Sequence, residues 1–507
     1  MAMQRLSPST SPSPWRFRWV VLCALAAPLS MAQPALPSLG DEQGMPIAKE
    51  RRLGDSIAQS IYRDPDYIDD PVLGDYLQLL WQPLFKAAKE RGDIGPELAQ
   101  RFAWELVISR DKRINAFALP GGYMGVNLGL IAATDSAPEI ASVMAHELSH
   151  VSQRHIARLM ARQDQQSPWL LGTMILGVLA ASASANVDVA NAVIVGGQAA
   201  AVQSQLGFSR DMEREADRIG FSILEQAGLD GQGFVTMFSK LYQASRLNDT
   251  GAFPYLRSHP LSDERMADMR NRLPAVPVAP TWVAPEGLHA VMAARAAVLA
   301  ESSAERWQAW LRLGQQPKAD PASRVRAILS AHRLGQHAVA VKDARGLVRD
   351  LAGTPLATVA NNLLVEMLMA PAWVADAATR ADWASHAQRA LTHTDRATVL
   401  WGVQAHMALA QWAVAAERLR GWVVQHPRDA LAWQLLSQVQ WQQGQRVAAL
   451  RAEAESRVAV MDFQGGLDRL QAARAIKGSG QDEWEQVIVE TRLRQVAVRL
   501  KESQRED

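Results

Sequence analysis

The chain has 507 residues, 48% hydrophobic and 21% charged, with one cysteine and a formal net charge of +1. At roughly 100–200 residues per domain that length makes two to four domains. The composition excludes a disordered chain, a disulfide-stapled scaffold and a zinc site built from cysteines, and the balanced charge gives no reason to expect nucleic acid as a partner. Sixteen Trp against six Tyr, with abundant Ala, lean towards helices packed through small residues.

Residues 1–32 read as a secretory signal peptide. Arg5, Arg16 and Arg18 precede an apolar run from Trp19 to about Ala27, and Ser30-Met31-Ala32 offers small residues before a cut. The alternative is an amino-terminal anchor, but the run is short for about 30 Å of hydrocarbon. Cleavage after Ala32 would remove the only cysteine, Cys23, and turn the +1 into −2 through loss of those three arginines. A thiol-free mature chain suits an oxidising compartment.

Residues 33–272 carry mixed elements. Leu73–Lys89 has a helical pattern, Trp104–Ile108, Ala116–Leu119 and Tyr123–Asn127 read as short strands, and Pro120-Gly121-Gly122 is a turn. From Asp135 onward helical patterns dominate. A Pro-rich stretch, 273–287, reads as a linker. Residues 288–500 are almost wholly helical, and 501–507 is a short polar tail. Within the helical half Val399 and Trp433, and Ala415 and Ala449, match at the 34-residue spacing of tetratricopeptide repeats, whose stacks present a concave face to partners. The predicted architecture is therefore mainly α with a small β-sheet: a mixed domain followed by an α-helical tetratricopeptide-like repeat domain.

The chemistry is concentrated in His146-Glu147-Leu148-Ser149-His150. Ser136-Ala137-Pro138-Glu139 supplies a helix start with a capping box, and Ile140, Met144, Leu148 and Val151 give an apolar stripe. On such a helix His146 and His150, four apart, point the same way and can grip one tetrahedral Zn²⁺. Glu147 lies one step round, placed to take a proton from the attacking water and return it to the leaving amine. A catalytic zinc wants a third protein ligand. The best candidate is Glu213 in Asp211-Met212-Glu213-Arg214-Glu215-Ala216-Asp217, with Asp217, on the same face, accepting the spare N–H of a ligating imidazole. Glu215 points elsewhere on that helix and reads as a surface residue. The competing reading of this run is a solvated face laced with i,i+4 pairs.

These motifs, with Asn115-Ala116-Phe117-Ala118-Leu119-Pro120-Gly121-Gly122, resemble the gluzincin family of CAAX-type prenyl endopeptidases and their soluble bacterial relatives. The resemblance is specific over the first half of the mature chain and loose over the repeats. It implies a zincin fold, one Zn²⁺ per subunit held by His146, His150 and Glu213, catalysis by Glu147, and Asp217 behind the ligands. It also implies that the region around Met124, Gly125, Val126 and Asn127 is an edge strand along which substrate lies extended. His259, in Arg257-Ser258-His259-Pro260, would sit on a plug that supplies a fourth metal ligand and keeps the enzyme latent; the alternative is a loop histidine packed beside Pro260. Arg265, in the next helix, would stabilise the oxyanion, or form an ordinary surface salt bridge. His155 reads as a helix-face or supporting residue and not as a ligand. The apolar segments Trp169–Leu179 and Val193–Val202 suggest a hairpin, either in the core or against a membrane.

Two functions follow from the resemblance. In the first, the chain is a periplasmic zinc endopeptidase that degrades unfolded or misassembled outer-membrane proteins. The repeats would engage the barrel-assembly machinery, with peripheral membrane contact. In the second, it is a chaperone or assembly factor acting mainly through its repeats, with proteolysis secondary.

Overall fold

The structure is a computed structural model that describes residues 45–162, 209–247, 254–276, 278–370, 376–476 and 482–504. The expected signal peptide and apolar hairpin lie outside the described residues. Helix α1 (Ile47–Arg63) leads through the two-residue strand β1 (Tyr67–Ile68) into α2 (Pro71–Arg91). Asp70 starts α2 by accepting the Leu73 N–H at 2.8 Å, Pro71 takes the first helical position, and left-handed Gly92 ends it. A short helix, α3 (Pro96–Arg101), then gives way to the strands.

Strands β2 (Glu105–Ser109), β3 (Ala116–Leu119) and β4 (Tyr123–Asn127) join β1 in a four-stranded sheet of order β1-β2-β4-β3. β4 runs parallel to β2, with Leu106 opposite Met124, and antiparallel to β3, with Phe117 opposite Gly125. This corrects one expectation: Met124, Gly125, Val126 and Asn127 are not at an edge. β4 is hydrogen-bonded on both sides and buried along its whole length. β3 is the edge strand on this side. The Pro120–Gly122 turn between β3 and β4 needs its glycines: φ is +72° at Gly121 and +90° at Gly122, and a Cβ on Gly122 would fall 2.8 Å from the Phe102 Cβ.

The remaining elements of the first half are α4 (Leu128–Ala133), α5 (Ala137–Ser152), α6 (His155–Arg162), α7 (Arg210–Gln226), α8 (Gln232–Leu247), α9 (Pro254–Ser258) and α10 (Asp263–Arg272). The second half is helical throughout its described residues, from α11 (Leu288–Ala300) and α12 (Ala304–Gly314) to α22 (Asp482–Gln504). None of the described helices is long and apolar enough to cross a membrane.

The Pro-rich stretch is not a break in the packing. The Trp282 N–H donates to Gly228 O at 2.9 Å, and one buried apolar cluster runs from α2 through α11 into the helices beyond. On α11, His289 accepts from the Tyr76 hydroxyl at 2.6 Å and donates to Thr134 O at 2.8 Å. The buried Arg295 guanidinium, also on α11, bridges Asp70 at 2.6 Å and Glu366 at 2.7 Å. A solvated spacer leaves its flanking domains free to move; here a hydrogen-bonded histidine and a buried ion triad tie the halves together.

In the helical half, α17 (Arg396–Ala408) and α18 (Trp412–Gln425) are followed by α19 (Ala430–Gln442) and α20 (Arg446–Ala459). Arg396 to Ala430 and Trp412 to Arg446 both span the 34-residue tetratricopeptide period. Asp395 and Asp429 cap the first helix of each pair through Thr398 and Ala432 N–H. The turns within the pairs also correspond: Gly444 has φ +76° and Ala410 has φ +56°. A left-handed alanine costs about 1–2 kcal/mol, part of which glycine returns as chain entropy. Ala410→Gly is therefore expected to stabilise the protein by ~0.5–1 kcal/mol in urea unfolding.

His386, on α16 (Ala377–Ala390), is 2% exposed, and neither ring nitrogen has a hydrogen-bond partner among the described residues. Burial first, then the nearby Arg389 charge, pulls its pKa down to about 4. The folded state thus binds this proton less tightly than the unfolded chain. The stabilisation is complete above the unfolded value of about 6.5 and is lost as pH falls towards 4, up to ~3 kcal/mol. His386→Leu is expected to flatten that loss: the stability gap between the variant and wild type should shift in the variant's favour from pH 7.5 to pH 4.5.

Candidate metal centre

Helix α5 carries the motif. Ser136 accepts the Glu139 N–H at 3.4 Å, while Glu139 reaches back to the Asp135 N–H at 2.8 Å and to Lys240 at 2.8 Å. The capping box is thus displaced by one residue and closed by a cation from α8. Every described motif residue, from His146 to His150, is buried.

Helix α7 brings the carboxylates. Glu213, Asp217 and Gly220 share its face towards α5. A Cβ on Gly220 would lie 3.0 Å from Ala145 O and His146 N, so glycine lets the helices approach closely at the motif. At that separation His146 Nδ1 lies 3.0 Å from Asp217 Oδ1, leaving Nε2 for the centre. His146 Nε2 is 2.9 Å from His150 Nε2 and 3.6 Å from Glu213 Oε2; His150 Nε2 is 3.5 Å from Glu213 Oε1.

His259 follows α9 and enters the same cluster. Its Nδ1 lies 3.0 Å from Glu213 Oε1 and 3.4 Å from His146 Nε2, and its Nε2 lies 3.5 Å from Glu147 Oε1. The Tyr255 ring stacks on it at 4.6 Å.

These four residues fit a metal. One donor atom from each of His146, His150, Glu213 and His259 lies within 4.8 Å of the others. Metal–ligand bonds of about 2.0–2.1 Å in a tetrahedron set donors roughly 3.3 Å apart, which the separations above bracket. Both oxygens of Glu147 are buried without a hydrogen-bond partner among the described residues. Formally, Glu147, Glu213 and Asp217 against Arg265 leave an excess of two negative charges, which a divalent cation balances.

The electrostatics follow from this crowding. Burial pulls the His146 pKa down, but Asp217 and Glu213 outweigh it and hold it at about 9. Burial, and then the His146 charge, pushes His150 well below the usual imidazole range. For Glu213 burial raises the pKa, yet His259 and His146 hold it well below the usual carboxylate range. Asp217 is likewise lowered, its burial outweighed by Arg265 and His146.

Arg265 stands behind the ligand carboxylates and is not a surface salt bridge. It is 5% exposed and grips Asp217 with two bonds, at 2.6 and 2.7 Å. It also lies 2.9 Å from Glu213 and donates to Pro260 O at 2.6 Å. It neutralises the carboxylates and ties down the loop beside His259.

Glu215 differs from expectation. It does not face solvent alone: its Oε2 lies 3.1 Å from His155 Nε2 and 2.9 Å from Arg158. His155 Nδ1 lies 2.8 Å from His150 Nδ1. Arg154, at φ +52° and held by Glu50 at 2.8 Å, turns the chain after α5 so that His155 folds back onto the motif. Sequence reading had His155 as a helix-face or supporting residue but missed its contact with Glu215, and it missed Tyr255. The one available signal was a histidine just past the motif, where helical spacing breaks.

Two closely packed helices, an edge strand beside them and a His/His/Glu cluster with a flanking glutamate define a metallopeptidase domain of the zincin type. Residues 93–273 match Peptidase family M48, so the chain carries an M48 domain there. The chain is similar to the putative beta-barrel assembly-enhancing protease of Vibrio cholerae, at 34% identity over 47% of each chain. It is 32% identical to the beta-barrel assembly-enhancing protease of Escherichia coli, again over 47% of each, and 29% identical to that of Yersinia pestis over 84% of each. The alignment spans about half the length of the first two relatives.

Proposed function

We propose that the chain is a zinc-dependent endopeptidase of the periplasm that degrades misfolded or stalled outer-membrane proteins, assists their assembly, and is held latent by His259. The observation that carries this is the position of His259, inside the donor cluster and 3.5 Å from the glutamate of the motif. The names of the similar proteins support the barrel-assembly role.

His146, His150 and Glu213 would hold the metal, which when bound activates water and polarises the scissile carbonyl. Glu147, beside the cluster with neither oxygen hydrogen-bonded among the described residues, takes the proton from the attacking water at its carboxylate and delivers it to the leaving amine. Asp217 holds His146 with Nε2 inward. β3, which pairs only with β4 in the sheet, takes the substrate-strand role expected of 124–127; adding an extended chain there uses main-chain hydrogen bonds and tolerates varied sequence. The helical half, built on tetratricopeptide spacing, would bind the unfolded substrate or the assembly machinery.

His259, as a fourth donor beside His146, His150 and Glu213, would take the place of the attacking water. A latch closed nine-tenths of the time leaves a tenth of the molecules competent. His259→Ala is therefore expected to raise casein cleavage on the order of tenfold. Cleavage equal to wild type, with zinc retained, would count against the latch.

A further inference from the structure

We propose that Glu215 and His155 are positioning residues: a Glu215–His155–His150 relay fixes the tautomer and ring orientation of His150 so that Nε2 is presented to the metal. This rests on the reading of His150 as a metal ligand and extends it to two residues outside the motif.

The argument runs from the acceptor inward. Glu215 Oε2 lies 2.9 Å from Arg158 Nη1, and a carboxylate paired with a guanidinium accepts hydrogen bonds. Its Oε2 lies 3.1 Å from His155 Nε2, which places the His155 proton on Nε2. A neutral imidazole then has a lone pair at Nδ1. That lone pair lies 2.8 Å from His150 Nδ1, so His150 must carry its proton there and donate it. The remaining lone pair of His150 is at Nε2, which faces His146 Nε2 at 2.9 Å and Glu213 Oε1 at 3.5 Å, inside the donor cluster.

Each step has one satisfactory proton assignment. His155 is fully buried, and its ring packs edge-on to His150 with centroids 4.8 Å apart. The two motif histidines are thus supported differently. His146 leans directly on a carboxylate, Asp217, at 3.0 Å. His150 leans on a neutral imidazole, with the carboxylate one residue further out. A carboxylate directly behind each ligand would add another buried negative charge; the relay passes orientation without it. Outer partners of this kind change metal affinity by about 10–100-fold when removed.

The test is zinc affinity, read by chelator competition, with the absorption spectrum of the cobalt-substituted protein as a second readout. His155→Phe keeps the buried volume but no acceptor, and is expected to weaken zinc binding about 10–100-fold and shift the cobalt bands. His155→Gln can accept from His150 and donate to Glu215, and is expected to restore most of that affinity. Glu215→Ala, at a partly exposed site, tests the relay without touching the core and is expected to weaken zinc several-fold. Unchanged zinc affinity in His155→Phe would overturn the relay, as would a glutamine variant no better than phenylalanine. Should His155→Phe not fold, unchanged affinity in Glu215→Ala overturns it. Wild-type protein that takes up no zinc would instead sink the ligand assignment beneath it.

Discussion

Glu147→Gln is expected to lower cleavage of an unfolded protein by about 10²–10⁴-fold while bound zinc stays at the wild-type level. The amide keeps the shape of the side chain and loses the basic oxygen. Glu147 is not among the four residues whose donor atoms cluster, so no ligand is removed. Both of its oxygens are buried without a partner among the described residues, so no structural hydrogen bond is lost either. The change therefore separates proton transfer from metal binding. Metal content and initial cleavage rates on the same preparation check it, best in the His259→Ala background where the latch is absent.

The second large effect falls on stability. Arg265→Met is expected to destabilise the protein by about 3–5 kcal/mol, because it strands Asp217 and Glu213 as buried, uncompensated carboxylates. Asp217 is 1% exposed and its bonds to Arg265 are 2.6 and 2.7 Å. The loop carrying His259 also loses its tie through Pro260 O. Arg218→Met is the control: its partner Asp268 lies at 3.2 Å, the arginine side chain is 56% exposed, and an exposed pair contributes at most about 1 kcal/mol. Urea unfolding of the three metal-stripped proteins measures the contrast. Equal midpoints for the Arg265 and Arg218 variants would mean that the buried network does not carry the predicted load.

What could be read from the sequence was what depends on local period. His146 and His150, and Glu213 and Asp217, are i,i+4 pairs, so helix geometry alone sets each pair on one face. Ser136 starts its helix for the same local reason. The 34-residue spacing around Trp433 and Ala449 is also local, and it marks the helix pairs α17–α18 and α19–α20. What could not be read depends on contacts distant in sequence. β4 lies inside the sheet because it pairs with β2 as well as with β3, and its β2 partners lie eighteen positions upstream, Ser109 opposite Asn127; a run such as Tyr123–Asn127 does not show how many neighbours it has. For Arg265 the choice between an oxyanion role and a surface salt bridge stayed open, since nothing local shows a carboxylate 48 positions away. Glu215 looked solvent-facing because the reversal at Arg154 that brings His155 to it is a tertiary event.

Zinc stoichiometry by elemental analysis of wild type, Glu147→Gln and Glu213→Ala tests the centre most directly. The expected result is one zinc per chain in wild type and Glu147→Gln, and little or none in Glu213→Ala after dialysis against a weak chelator. Wild type without zinc, or Glu213→Ala holding it as firmly as wild type, would contradict the assignment of His146, His150 and Glu213 as the metal-binding set.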